Sequence, residues 1–246
     1  MGGTKYFNLT CVAYEADDAL VGKVAAVLSL LPVFLMWSFG TLWVFRRELH
    51  TMCYGCVVLL ADACASFLKH RLVQPRPADA PAACGGKGYG MPSSHAACAF
   101  AFAVYGILHL VYRVQFSPAG EQARGRRGPK PAPPAPPLEA ALDRAFKPLV
   151  SAALVLYAAL VGWSRVHLRY HSAAQVAAGG CLGTAVAAVG FALVGGVLQP
   201  HVFPRVLGTR AARYLCLRDS SHIHDVLRYE AFCSRAALKD ALAHTD

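Results

Sequence analysis

Long apolar segments separated by short polar ones dominate this chain. A helix that crosses a membrane needs roughly 20 consecutive apolar residues. Five segments approach or exceed that length, and they cover residues 24–45, 51–68, 96–116, 148–163 and 172–198. Only the second and third of them contain charged residues, Asp62 and Arg113. The pattern therefore predicts an all-α fold, a polytopic membrane helical bundle with about five transmembrane helices.

Composition places the chain in the same class. Of its 246 residues, 56% are hydrophobic and 15% are charged, which is too apolar for an ordinary soluble domain. The net charge of +10 could indicate nucleic-acid binding, but the basic residues lie between apolar spans instead of forming a stripe. We therefore expect one membrane domain, residues 1–246, whose anionic partners are the bilayer surface and the substrate, with no nucleic acid.

Two segments differ from the membrane-spanning pattern. Residues 117–147 are rich in Pro, Gly and Arg, a composition that cannot bury a core and predicts a flexible loop. Residues 201–246 form a polar tail after the last apolar segment. Within that last segment, Gly179 and Gly183 lie four residues apart, a spacing typical of close contact between two membrane helices.

The distribution of positive charge predicts the sidedness. With five spans, the N-terminus and segments 69–95 and 164–171 share one face. That face carries 8 of the 24 Lys and Arg residues, namely Lys5, Lys23, Lys69, Arg71, Arg76, Lys87, Arg165 and Arg169. The other 16 lie on the face with the 117–147 loop and the tail, which the positive-inside rule makes cytosolic. The first face is then exoplasmic, or lumenal in a eukaryote, and it includes a glycosylation sequon at Asn8.

Candidate residues for a functional site lie in three polar stretches at the ends of apolar segments, residues 69–77, 92–95 and 164–171. They contribute three cations, Lys69, Arg76 and Arg165, which can hold the nonbridging oxygens of a phosphoryl group. The start of the third span adds free backbone N–H groups and the hydroxyls of Ser93 and Ser94. We predict a phosphate-binding site on one face of the membrane.

Two histidines in these stretches supply reactive groups. Imidazole is a nucleophile toward phosphorus and a proton donor near neutral pH. We expect His171 to attack and form a phosphohistidine, and His95 to protonate the leaving oxygen and later activate water. Gln175 follows His171 by one helical turn, so its carbonyl can orient the imidazole ring. Each residue alone could be an ordinary interfacial side chain, but all of them fall on the same face.

Asp62 lies inside the second span, two turns before Lys69. A carboxylate within a span is costly and indicates a functional role. Pairing with Lys69 or Arg165 is the expected contact. A salt bridge that only fixes helix packing is the alternative.

The three-part pattern resembles that of the type 2 phosphatidic acid phosphatase superfamily. The resemblance covers residues 69–175 and rests on these matching positions: Lys69, Arg76, Pro77, Pro92, Ser93, His95, Ser164, Arg165 and His171. It implies a helical fold and hydrolysis of a phosphate ester or anhydride by a histidine nucleophile, without metal or cofactor. The chain departs from the family pattern twice, with Ser94 in place of glycine and Gln175 in place of aspartate.

The loss of that aspartate leaves two interpretations, a pseudoenzyme or a subgroup in which the amide is native. Flanking segments, such as 74–77, 91–95 and 217–220, resemble the eukaryotic dolichyldiphosphatases within that superfamily, and this favours the subgroup. The resemblance implies a membrane protein of the endoplasmic reticulum that acts on a polyisoprenoid diphosphate. It would convert dolichyl diphosphate to dolichyl phosphate on the lumenal face and so recycle the lipid carrier of protein N-glycosylation. Phosphatases of phosphatidate, sphingoid-base phosphates or undecaprenyl diphosphate remain open, as does a non-catalytic membrane protein.

Overall fold

The computed structural model describes residue 12 and residues 19–81, 88–114, 137–223 and 226–243. The predicted sequon at Asn8 and residues 117–136 of the predicted loop lie outside these ranges. The described chain is helical, and only two isolated bridges of extended backbone occur in it.

Within these described ranges, five helices are long and apolar enough to cross a membrane, which confirms the predicted number. They are α1 (Ala19–Arg46), α2 (Leu49–Leu72), α3 (Ser94–Tyr112), α4 (Pro137–His167) and α5 (Ala173–Leu193). The helix α5 continues without a break into a π-helix, Val194–Val202, and then into α6, Phe203–Leu207. Two further helices follow, α7 (Arg210–Tyr214) and α8 (Val226–Ala243).

The fourth helix begins earlier than its apolar pattern predicts. Residues 137–147 are helical, whereas the sequence assigned them to the flexible loop. Proline is favoured at the first position of a helix, where its missing N–H is not needed, and Pro137 occupies that position. Good helix formers such as Leu142 and Arg144 follow it, so the helix forms before the apolar span starts.

Helix α3 lies at the centre of the bundle and packs against α5, α4 and α2. Its closest partner is α5, where two glycines let the backbones approach. A Cβ on Gly179 would lie 2.4 Å from the carbonyl oxygen of Ser93, and one on Gly183 would lie 2.2 Å from that of Ala97. The predicted helix contact is confirmed. It holds the N-terminal end of α3 against the first turns of α5.

At the opposite end of the bundle, the tail returns to the turn between α1 and α2. The backbone N–H of Leu49 donates to the carbonyl of Arg218 at 3.0 Å. Glu230 of α8 pairs with Arg46 at 2.8 Å and with Arg218 at 3.2 Å. The tail and the 46–49 turn therefore share one end, and the three candidate stretches lie at the other.

Candidate active site

The three polar stretches meet at one end of the bundle. The Lys69 ammonium donates to the Ser94 hydroxyl at 2.7 Å, which joins the end of α2 to the start of α3. The backbone N–H of Ser93 donates to the carbonyl of Gln175 at 3.0 Å, and that of His171 donates to the carbonyl of Arg165 at 3.2 Å. The structure thus brings together the groups that the sequence placed on one face.

His171 lies in the short turn between α4 and α5, just before the residue that caps α5. The chain reverses there through Arg169, whose φ is 59°. The His171 side chain is only 3% exposed, and its Nδ1 lies 3.3 Å from Oε1 of Gln175. An amide oxygen has no proton to give, so Nδ1 carries the hydrogen of this bond. The lone pair of the neutral ring is then on Nε2, the atom available for attack.

The orientation of the Gln175 amide follows from its other partners. The backbone N–H of Ser172 donates to one amide atom at 3.2 Å, and that atom must be oxygen. The other amide atom donates to the carbonyl of Pro75 at 2.8 Å, and it must be nitrogen. Ser172 also caps α5 by accepting the backbone N–H of Gln175, which completes a capping box. Gln175 is 2% exposed, so this arrangement is enclosed by protein.

Two guanidinium groups in the site each have a buried N–H donor with no partner in the part of the chain that the structure describes. Arg165 is 5% exposed, donates to the hydroxyl of Ser29 on α1, and stacks on the Tyr170 ring with 4.2 Å between the guanidinium carbon and the ring centroid. Its Nε and the Nε of Arg76 are both buried and have no hydrogen-bond partner within the described structure. Buried donors of this kind require an acceptor, and phosphate oxygens fit them.

The electrostatics of His171 show how these cations surround it. The pKa of His171 is lowered to about 3, chiefly because burial would strip the imidazolium of its hydration. The positive charges of Arg165, Arg76 and Lys69 contribute to this shift in the same direction. His171 is therefore neutral at physiological pH, as a nucleophile must be. Burial also lowers the pKa of Arg76, but an arginine stays charged in proteins.

The start of α3 forms the remaining wall of the site. Ser93 is fully buried and caps the helix, with its hydroxyl oxygen accepting the Ala96 N–H at 3.5 Å. The Ser93 hydroxyl oxygen therefore accepts a hydrogen bond from α3. Donation of the hydroxyl proton to a substrate phosphate stays a prediction. Ser94 and His95 lie in the first turn, where helix amides favour an anion. Both line a cavity of about 520 Å³ between α1, α2 and α3.

Asp62 lines the same cavity, and the predicted ion pair with Lys69 or Arg165 is wrong. Lys69 donates instead to the Ser94 hydroxyl. Arg165 donates to the Ser29 hydroxyl and stacks on the Tyr170 ring. Asp62 lies about two helical turns before Lys69 on α2, and within the described residues no ion pair joins it to either cation.

Several contacts that hold the site together were not predicted from the sequence. Ser29 on α1 and Tyr170 hold Arg165, and the Pro75 carbonyl holds Gln175. Nothing in the apolar pattern of α1 distinguishes Ser29. The capping box did have a signal, because serine followed three residues later by glutamine marks a helix start, here Ser172 and Gln175.

Residues 50–197, more than half of the chain, match the model of the PAP2 superfamily, and the chain belongs to this family. The family model covers α3, α4 and α5 and with them both histidines of the site.

Curated relatives give a narrower comparison. The chain is 35% identical to dolichyldiphosphatase 1 of Homo sapiens over 233 residues, which cover 95% of this chain and 89% of the relative. It is 30% identical to dolichyldiphosphatase 1 of Dictyostelium discoideum, over 92% of this chain and 87% of that one. It is 34% identical to lipid phosphate phosphatase gamma of Arabidopsis thaliana, over 96% of this chain and 93% of the relative. No solved structure matches the chain.

Proposed function

We propose that this chain hydrolyses dolichyl diphosphate to dolichyl phosphate and inorganic phosphate. The observation that carries the proposal is His171, a buried neutral imidazole whose Nδ1 is held by Gln175 while three cations surround it. The dolichyldiphosphatases, which match nearly the whole chain, support this choice of lipid.

In the first step, Nε2 of His171 attacks the terminal phosphorus. The bond between that phosphorus and the bridging oxygen breaks, and its electron pair leaves with dolichyl phosphate. Lys69, Arg76 and Arg165 hold the nonbridging oxygens, where negative charge must be stabilised in the transition state. His95, protonated when the anionic substrate is bound, gives this proton to the leaving oxygen. The product of this step is a phosphohistidine.

In the second step, water attacks the phosphohistidine. His95, now neutral, accepts a proton from that water, and the bond between phosphorus and Nε2 breaks. Its electron pair returns to His171, and inorganic phosphate leaves. Gln175 keeps Nδ1 protonated throughout, so the same ring nitrogen acts in each cycle.

A diphosphate substrate is consistent with an amide at residue 175. An amide orients the imidazole but brings no negative charge to stabilise an imidazolium. In a serine-protease triad, the comparable change from aspartate to asparagine costs about 10⁴ in rate. A lipid monophosphate is a better leaving group than an alcohol, so cleavage of an anhydride depends less on that missing charge.

The chain is a multi-pass membrane protein with a lipid substrate. We place it in the endoplasmic reticulum with the site facing the lumen, where it recycles the lipid carrier of N-glycosylation. The excess of Lys and Arg on the opposite face supports this orientation. Cys84 lies on the predicted lumenal side, so an impermeant thiol reagent should label it only after the organelle membrane is opened. Labelling after permeabilising the plasma membrane alone would contradict the orientation.

The plant relative named lipid phosphate phosphatase favours a second candidate, a phosphatase of broader range that also accepts phosphatidate. Phosphate release by purified protein in EDTA should be compared for dolichyl diphosphate, dolichyl phosphate and phosphatidate, with His171→Ala as the matched control. We expect release from the diphosphate alone and none from the variant. Comparable release from phosphatidate would support the broader enzyme. No release from any substrate would indicate a non-catalytic protein.

A further inference from the structure

Gln175 makes contacts in two directions, and one of them reaches the segment that carries Arg76. Its Oε1 faces Nδ1 of His171 at 3.3 Å. Its Nε2 donates to the carbonyl oxygen of Pro75 at 2.8 Å, one residue before Arg76. The Gln175 side chain therefore links His171 to the backbone segment that carries Arg76.

The backbone at residues 73–77 lies beyond the end of α2, so contacts outside the helix hold it in place. Val73 adopts a left-handed conformation with φ of 52°, and its N–H donates to the carbonyl of Lys69 at 3.1 Å. The carbonyl of Gln74 accepts the N–H of Gly90 at 2.7 Å. Pro75 pairs with Tyr89 in an isolated antiparallel bridge. Because proline has no N–H to donate, its carbonyl is the polar backbone group that a side chain can bind.

The amide of Gln175 also fits closely against Gly90. A Cβ at that position would lie 2.5 Å from both Nε2 and Oε1, well inside ordinary contact. The amide therefore has no room to shift toward Gly90. Its two hydrogen-bonding directions are fixed by packing as well as by its partners.

We propose that Gln175 is a positioning residue for Arg76 as well as for His171, and that the contact with Pro75 requires an amide. A carboxylate could still accept the proton of Nδ1, but it has no N–H for the Pro75 carbonyl. Two facing oxygens would repel each other and push the Arg76 segment away. The inference rests on the proposed function for its substrate, a phosphate-bearing lipid.

The direct test is Gln175→Glu, which keeps the shape and one oxygen for His171 but loses the donor. We expect the dissociation constant of inorganic phosphate and the KM for dolichyl diphosphate to rise about tenfold, the size expected from one lost hydrogen bond in a buried site. We expect kcat to change less, because the contact with His171 remains. Gly90→Ala displaces the same amide without adding charge, and should shift phosphate affinity in the same direction.

Measuring the effect of Gln175→Glu in the Arg76→Ala variant shows whether that effect depends on Arg76. If Gln175 acts through Arg76, the effect of Gln175→Glu on phosphate affinity should largely disappear when Arg76 is absent. An effect that persists in full would show direct repulsion of phosphate by the new charge and would overturn the inference. So would a Gln175→Glu protein that loses kcat but binds phosphate normally, because the amide would then serve His171 alone.

Phosphate affinity is measured from the shift of the thermal unfolding midpoint with inorganic phosphate, so it requires no lipid. The double-variant cycle therefore gives a result even if the natural substrate is not dolichyl diphosphate. A failure of the proposed function appears only in the lipid assay. If Gln175→Glu fails to fold, Gly90→Ala with and without Arg76→Ala gives the same comparison with Gln175 intact.

Discussion

Replacing Gly179 with alanine should move the two halves of the active site apart. The new Cβ would lie 2.4 Å from the carbonyl oxygen of Ser93, whereas ordinary contacts begin at 3.4 Å. The shortfall is about 1 Å, and it is against backbone, which cannot rotate away as a side chain could. Ser93 also bonds to the carbonyl of Gln175 through its N–H. The start of α3, with His95, must therefore shift relative to α5 and His171.

The expected cost has two parts. Overfilling a close helix contact destabilises a fold by about 1–3 kcal/mol. A displacement of about 1 Å in the reacting groups can lower catalysis by about 10²-fold. We therefore expect Gly179→Ala to lower kcat/KM by about two orders of magnitude and to lower the unfolding midpoint.

Two other glycines separate the stability effect from the effect on the site. A Cβ on Gly183 would clash with the Ala97 carbonyl one turn deeper, so Gly183→Ala should lower the unfolding midpoint similarly with a smaller loss of kcat/KM. Among the described residues, a Cβ on Gly196 would have no neighbour within 4 Å, so Gly196→Ala should leave the unfolding midpoint and kcat/KM unchanged. Phosphate release and thermal unfolding in the same detergent measure the two quantities. Wild-type kcat/KM in Gly179→Ala would refute the reasoning.

The charges and hydrogen bonds of the site give three further predictions. The pKa of His171 is about 3 in the fold against 6.5 unfolded, so its contribution to stability is present above pH 6.5 and is lost as pH falls toward 3. When the pH falls from 7.5 to 5, the free energy of unfolding of the wild type should fall by about 2 kcal/mol more than that of His171→Gln, as measured by thermal unfolding. Equal decreases would contradict this pKa. Arg165→Lys should lower kcat/KM by about 10²-fold, because lysine cannot both stack on the Tyr170 ring and offer an Nε donor. Wild-type kcat/KM in this variant would show that Arg165 does not bind the phosphate oxygens. Asp62→Ala should lower phosphate release with an unchanged unfolding midpoint, because Asp62 lines the same cavity as Ser94 and His95, and a loss of stability alone would assign it to packing.

The sequence predicted the elements of the fold well, because membrane spans are encoded in local composition. All five spans were predicted, since a run of apolar residues needs no knowledge of its neighbours. The early start of α4 at Pro137 was missed because a proline-rich segment predicts a loop up to the residue where helix formers take over. The glycine spacing at Gly179 and Gly183 predicted a contact, but its partner α3 appeared only in three dimensions.

The site was predictable where its chemistry lies in the motifs themselves. Lys69 and His171 were assigned correctly to one face because span counting fixes which loops lie together. The contacts that hold the groups in place were not predictable, because they come from distant segments. Ser29 reaches Arg165 from a helix 136 residues earlier in the chain. Asp62 was predicted to pair with a cation, but within the described residues it forms no ion pair and lines the cavity beside Ser94.

The central claim is that His171 carries the phosphoryl group between the two steps, and trapping that intermediate tests it most directly. Protein incubated briefly with dolichyl diphosphate labelled with ³²P in the terminal phosphate should be quenched in alkali, where phosphohistidine persists, and then digested. We predict label on the peptide that contains His171, lost on treatment with acid and absent from His171→Ala. Label in His171→Ala, or phosphate release at the wild-type rate by that variant, would contradict the claim.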